Sequence, residues 1–172
     1  MEKSNSIQLV KPVIKYKKSF IQGAKEFQKE GRNVDLDIED LDKNFDKFVT
    51  KLLNEELGIG LKDGYIPAST LWLIDNDEFI GKVSIRHTLT EKLLQEGGHI
   101  GYEIRPSKRK MGYGTKILAL AVISAKNLGI EKILVTCDDD NIGSYKIIEK
   151  NGGILENKIG YQGKLKRRYW IK

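Results

Sequence analysis

Residues 99–122, HIGYEIRPSKRKMGYGTKILALAV, run from a β-rich segment through a cationic stretch and a glycine turn into an apolar stripe. HIGYEIR reads as a strand, and Ile117, Leu118, Ala121, Ala125 and Leu128 recur at helical spacing until Gly129 stops them. A strand that turns through Gly112-Tyr113-Gly114 into a helix start aims several unpaired amide hydrogens at one point, together with the positive end of the helix dipole. Gly112 and Gly114 lack the Cβ that would hold a ligand's oxygens off the backbone, and they tolerate the positive φ that turns amides inward. Lys108, Arg109 and Lys110 add long-range attraction. An anion belongs there, and phosphate is the natural guest.

Working outward, SIQLVKP reads as a short strand ended by Pro12. Val13, Tyr16, Phe20, Ala24 and Phe27 predict one helix up to Gly31, and Ile38, Leu41, Phe45, Phe48 and Leu52 predict a second before Gly58. STLWLI and FIGKVSIRH are β-rich runs around the polar turn Asp75-Asn76-Asp77-Glu78 and should pair antiparallel. KILVTC reads as a buried strand, Asn141 to Lys150 as a shorter helix, and ILENKI with KRRYWI as a terminal hairpin. The resulting order, β-α-α-β-β-β-α-β-α-β-β, is a mixed α/β (α+β) chain with six to seven mostly antiparallel strands and about four helices. It is not doubly wound.

The 172 residues are one domain's length, and no linker, repeat or low-complexity tract divides residues 1–172. With 40% hydrophobic and 31% charged residues and no apolar run near membrane-span length, no membrane partner is expected. The first residues lack a signal-like apolar block, and Cys137 is the only cysteine, so a reducing cytoplasm is the expected location. The formal charge of +6 does not form a continuous basic stripe interleaved with aromatics, so no nucleic-acid partner is expected.

Which phosphate ligand fits can be narrowed. A Walker loop ends in Gly-Lys-Ser/Thr, whereas the order here is Gly114-Thr115-Lys116. A dinucleotide fingerprint needs G-x-G-x-x-G in a first βαβ unit, and this glycine pair follows an antiparallel hairpin. What remains, Arg109-x-x-Gly112-x-Gly114, resembles the pyrophosphate loop Q/R-x-x-G-x-G/A of the GNAT superfamily of N-acetyltransferases. Residues 69 to about 155 also fit that family's order of hairpin, strand, loop, helix and strand, followed by an Asn-x-x-Ser/Ala helix start, here Asn141-Ile142-Gly143-Ser144. HIGYEIRPSKRKMGYG and NIGSYKIIEKNGG are similar to its uncharacterised branch.

The resemblance implies a GNAT-like central sheet and acetyl-CoA as cofactor. It implies cofactor contacts from Ile104, Arg105, Arg109, Lys110, Met111, Gly112, Tyr113, Gly114, Thr115, Asn141 and Ser144, with pantetheine lying along the strand that ends at Ile104. It implies acetyl transfer to a primary amine on a small-molecule or peptide acceptor, and the acidic neighbours of Cys137 point to direct transfer rather than an acetyl-thiol route. A catalytically weak CoA-binding regulatory module is the alternative, and a homodimer stays open.

Amine acetylation needs a proton taken from the amine, charge stabilised on the thioester oxygen, and a proton given to the leaving thiolate. The family often places a tyrosine seven residues after the helix asparagine, where this chain has Ile148. Tyr145, one turn earlier, becomes the candidate acid, with Tyr102, Tyr161 and Tyr169 as other hydroxyls. Glu103 is the candidate base, sharing a strand side with His99 and Gly101, and His87 is the other histidine. Asp138, Asp139 and Asp140 are expected to raise the Cys137 pKa, which disfavours an acetyl-thiol route, and to sit in a helix first turn. No metal site is expected. Segments 30–66 and 88–98 are expected to recognise the acceptor.

Overall fold

Alternating side chains build the centre of the molecule. In the computed structural model, which describes residues 7–172, strand β3 (Glu78–Arg86) buries Val83 and Ile85 on one face and turns Lys82, Ser84 and Arg86 to the other. It lies between β2 (Ala68–Asp75) and β4 (Ile100–Ile104), and β1 (Gln8–Val10) pairs with β2, giving an antiparallel sheet of order β1-β2-β3-β4. The expected strand over 6–12 is described from residue 7 onward. A second antiparallel sheet, of order β5-β7-β6, is formed by β5 (Ile133–Asp138), β6 (Ile154–Tyr161) and β7 (Lys164–Ile171).

The sheets are joined at one end, where the Gly97 amide donates to Thr136 Oγ1 at 2.8 Å. The His99 amide donates to Leu134 O at 2.8 Å, and the Leu134 amide donates to His99 Nδ1 at 2.9 Å. Among the described residues, no backbone hydrogen bond joins β4 to β5 beyond that pair. The seam between them is therefore an opening in an otherwise continuous surface.

Helices cover both faces. Helix α1 spans Lys17–Lys29 after a 3-10 turn at Ile14–Tyr16, and it packs with α2 (Ile38–Lys43) and α3 (Phe45–Glu56) over β2 and β3. Phe20 stacks on Trp72 at 4.7 Å between ring centroids, and Phe45, Phe79, Leu41 and Val49 close this core. Burial of each such side chain contributes about 1.5–3 kcal/mol. On the other face α5 (Tyr113–Asn127) lays Ile117, Leu118, Ala121 and Ala125 against Val83, Ile85, Ile100 and Ile104, and α6 (Ile142–Lys150) adds Ile148.

The expected mixed α/β architecture holds with seven strands. Two local expectations change. The helix predicted from Ile38 through Leu52 breaks at Asn44 (φ −120°, ψ 35°), whose side chain donates to Asp40 Oδ1 at 2.8 Å, although the apolar spacing continues across the break. The segment 88–98 contains a one-turn helix, α4 (Glu91–Gln95), capped by Thr90, which accepts from the Leu93 amide. None of the described helices is long and apolar enough to cross a membrane.

Candidate active site

Strand β4 leaves the sheet through a 3-10 turn at Pro106–Lys108, and the chain then adopts left-handed backbone at Lys110 (φ 61°) and Gly112 (φ 85°) before α5 begins. The Lys116 amide is the first in α5 to find its carbonyl, on Gly112. The amides from Lys110 to Thr115 make no hydrogen bond among the described residues. Unpaired donors at a helix N-terminus are what an anion completes. A Cβ on Gly112 would meet nothing within 4 Å, so the space above this turn is open.

Gly114 works differently from the expectation. A Cβ there would come within 2.6 Å of Ile147 Cδ1, so its bareness lets α5 close on α6. The expected cations are also redirected. Arg105 is 2% exposed and donates to Glu26 at 2.7 Å and Glu78 at 3.0 Å, so its side chain is engaged inside the protein rather than open to the expected cofactor. Lys108 pairs with Glu78 at 2.6 Å, and Arg109 forks onto both Glu30 carboxylate oxygens at 2.9 and 2.8 Å while its Nε donates to Ile104 O. Lys110 alone of the three forms no ion pair among the described residues. Met111 is exposed, the Thr115 carbonyl accepts from Asn151, and the Tyr113 hydroxyl donates to Asp75 at 2.6 Å. That bond to a carboxylate raises the Tyr113 pKa to about 12.

Along the seam, ladder parity decides which backbone groups face outward. Arg86 N donates to His99 O and Arg105 N donates to Ile80 O, so the odd-numbered residues of β4 bond toward β3. The amides and carbonyls of Ile100, Tyr102 and Ile104 therefore point toward the seam. Beside them the Tyr102 hydroxyl meets Ser144 Oγ at 3.3 Å, and the Ser144 amide donates to the Asn141 side chain at 3.0 Å, making Asn141 the N-cap of α6. Burial raises the Tyr102 pKa to about 12, so this hydroxyl keeps its proton at neutral pH.

Cys137 lies next to the same serine. Burial is the main reason its pKa rises to about 11, and Asp138 and Asp139 add only a minor push, so the direction matches the expectation and the dominant cause does not. The aspartates are also not in a helix first turn: Asp138 binds Lys164 and Lys166, and Asp139 binds Lys158 and Arg167. No cluster of metal-ligating side chains exists among the described residues. A thiol this firmly protonated is a poor nucleophile. Cys137→Ala is expected to keep most of the activity, with no acetyl adduct on the parent protein by mass spectrometry when acetyl-CoA is supplied without an amine. A stoichiometric adduct on Cys137 would overturn direct transfer.

Of the remaining tyrosines, Tyr145 lies under the Arg167 guanidinium at 4.0 Å, and the Tyr169 hydroxyl donates to Glu149. The structure brings Tyr102 and not Tyr145 into hydrogen-bond contact with Ser144. A long-range contact between positions 102 and 144 has no sequence signal beyond the residue types themselves.

On the face opposite α5, the register sets Trp72, Lys82 and Glu103 in one row and Thr70, Ser84 and Gly101 in the next. These rows, with Phe20, Phe48 and Leu52 above them, line a cavity of about 320 Å³ that also reaches Asn33, Arg86 and Tyr102. Glu103 lies in its wall, bonded to Lys82 at 3.0 Å, Arg32 at 2.7 Å and Asn33 at 3.3 Å. The expected segment 30–66 contributes Asn33, Phe48 and Leu52, whereas no residue of 88–98 lines the cavity. The histidines are engaged elsewhere: His99 Nδ1 accepts from Leu134, and His87 Nε2 shares a hydrogen bond with Ser69. Burial lowers the His99 pKa and Arg86 adds to the effect, so the ring is kept neutral as an acceptor.

A glycine-turned helix start with free amides, a seam between two sheets and a cavity on the far side together define an acyl-transferase type of site. Residues 21–154 match the family model of the acetyltransferase (GNAT) domain, and the chain belongs to that family. Among solved structures it is similar to the Salmonella typhimurium acetyltransferase that modifies the N-terminal serine of ribosomal protein L7/L12, at 17% identity and TM-score 0.66, with 98% of this chain and 95% of that one covered. A microcin C7 self-immunity acetyltransferase in complex with acetyl-CoA and AMP is similar at 15% identity and TM-score 0.67, covering 98% and 93%. A ribosomal L7/L12 alpha-N-protein acetyltransferase in complex with coenzyme A is similar at 16% identity and TM-score 0.69, covering 98% and 94%. Comparison with curated proteins finds no match. Acetyl-CoA is the cofactor of the family, and the free amides at the start of α5 fit its pyrophosphate.

Proposed function

We propose that this protein moves an acetyl group directly from acetyl-CoA to a primary amine seated in the cavity between β2–β4 and helices α1 and α3. The observation that carries the reading is the line of unpaired donors running from Lys110–Thr115 onto the seam edge of β4. Lys110, Met111, Gly112, Tyr113, Gly114 and Thr115 offer their amides to the pyrophosphate, and Arg109 reaches it by releasing Glu30. Ile100, Tyr102 and Ile104 offer strand-like pairing to the pantetheine arm. Bound acetyl-CoA supplies an activated thioester carbonyl.

The chain's own groups do the rest. The seam-facing amide of Tyr102 stabilises negative charge that develops on the carbonyl oxygen. As the new C–N bond forms and the C–S bond breaks, the Ser144–Tyr102 hydroxyl pair supplies a proton to the departing sulfur. Glu103, the only carboxylate on the cavity wall among the described residues, accepts the amine's proton directly or through one water. Its three donors fix the carboxylate's position, which is what a proton acceptor at a defined site requires.

Two measurements test this. Steady acetyl-CoA consumption with a panel of amines is expected, and a panel without turnover from a protein that binds CoA would favour a regulatory module. Glu103→Gln keeps the shape and the acceptor oxygen but removes the basicity. It is expected to lower kcat about 10²-fold or more at neutral pH with CoA affinity unchanged. An unaltered pH-rate profile in that variant would assign proton removal to water alone.

A further inference from the structure

The cavity carries one charge that the mechanism leaves unused. Arg86, at the end of β3, is half-buried, and no carboxylate lies within ion-pair distance of it among the described residues. Its Nη1 donates to the carbonyls of Gly97 and Gly98 at 2.9 and 3.1 Å, and Nη2 makes no hydrogen bond among the described residues. Both Nη atoms lie 3.5 Å from where a Cβ on Gly101 would stand, so the guanidinium covers Gly101 on the cavity side of β4. Gly101 and Glu103 are two residues apart on that face, roughly 7 Å.

A charge partly withdrawn from water without an opposite charge is costly in proportion to its burial, and proteins often pair it. The other charges here do not relieve it. Glu103 is already shared by Lys82 and Arg32, so the cavity and its rim hold Lys82, Arg86 and Arg32 against a single carboxylate. Burial with no anion to oppose it lowers the Arg86 pKa. The polar end of the cavity is thus cationic, whereas Phe20, Phe48, Leu52 and Trp72 make the remainder apolar.

Resting on the transfer reading above, we propose that the acceptor is a small molecule carrying a carboxylate on the same frame as its amine, with Arg86 binding the carboxylate. Nη2 and Nε of a guanidinium match two carboxylate oxygens in a planar fork. The carboxylate then lies over Gly101, the amine faces the seam edge at Tyr102, and an apolar side chain packs against the aromatic wall. A volume of about 320 Å³ suits a molecule of amino-acid size. The same charge balance rejects polyamines and other polycationic amines, because their second ammonium would meet Arg86 or Lys82.

Calorimetry on the full chain saturated with CoA decides this, using L-phenylalanine and L-leucine against their carboxamides, with spermidine as the polycation. Binding is the deciding readout, because an amide also changes the basicity of the amine and so shifts rates for a separate reason. The acids are expected to bind at least tenfold more tightly than the amides. Arg86→Gln should erase that preference, and Arg86→Lys should keep part of it. Equal binding of acid and amide, tighter binding of spermidine, or no binding of any acid to the parent protein would each overturn the proposal, and none of them requires the variants to fold. The transfer reading fails separately: acids that bind with the expected preference but yield no acetylated product would refute transfer and leave the ligand class standing.

Discussion

Arg105→Ala is expected to destabilise the fold by about 1.5–3 kcal/mol, the cost of losing charge-assisted hydrogen bonds from a buried guanidinium to two partly exposed carboxylates. Arg105 joins Glu26 of α1 to Glu78 at the start of β3, and its own amide is held by Ile80 O. Urea denaturation at pH 7 measures the loss, and a change under 1 kcal/mol would show that the triad is not a support. The pH dependence has a definite sign. Burial works to raise the Glu26 pKa, but the Ser107 amide and the Arg105 guanidinium overcome it, and the net shift is downward from 4.5. A depressed carboxyl stabilises the fold above the unfolded-state pKa, and that contribution is lost as pH falls through the lower folded value. The parent protein should therefore weaken below about pH 4.5. Arg105→Ala should show a shallower acid slope, with the part contributed by Ser107 retained.

Gly112→Val is expected to weaken CoA binding tenfold or more, about 1.4 kcal/mol, the scale of one or two lost charge-assisted hydrogen bonds. A β-branched residue at φ 85° is strained, and relief of that strain rotates the neighbouring amides away from their common focus. None of the described residues lies within 4 Å of the new Cβ, so the substitution adds backbone strain at the turn but no clash with the packed core. Pantetheine without phosphates should bind the variant as it binds the parent. Calorimetry showing a folded Gly112→Val protein with parental CoA affinity would remove the loop from the binding site.

The sequence made the strands and the glycine turn readable because both are local. Alternation in Lys82-Val83-Ser84-Ile85-Arg86 and the Gly112-Tyr113-Gly114 entrance to α5 need no knowledge of distant residues. The break at Asn44 escaped because Ile38, Leu41, Phe45, Phe48 and Leu52 keep helical spacing through it, and only the local backbone angles reveal the interruption. The five-residue α4 is too short to show a period. The ion-pair partners of the cations were the least legible part. Arg105 and Arg109 find Glu26 and Glu30 across 79 residues of chain, a pairing that tertiary packing alone creates. For the same reason the Tyr102–Ser144 contact and the unpaired Arg86 had no sequence signature, whereas Glu103 could be placed from strand parity.

The joining of the sheets at one end, through Gly97–Thr136 and His99–Leu134, has a mechanical meaning. Two half-sheets hinged there behave like the covers of a book whose spine is a few hydrogen bonds. In the proposed reading, a pantetheine arm paired along β4 would turn the open margin into a continuous page and share its binding energy between both covers. Ligand-linked stabilisation of this kind grows with the logarithm of ligand concentration. It should reach β5–β7 as well as β4, so hydrogen exchange would slow on both sides of the seam together rather than on the contacted strand alone.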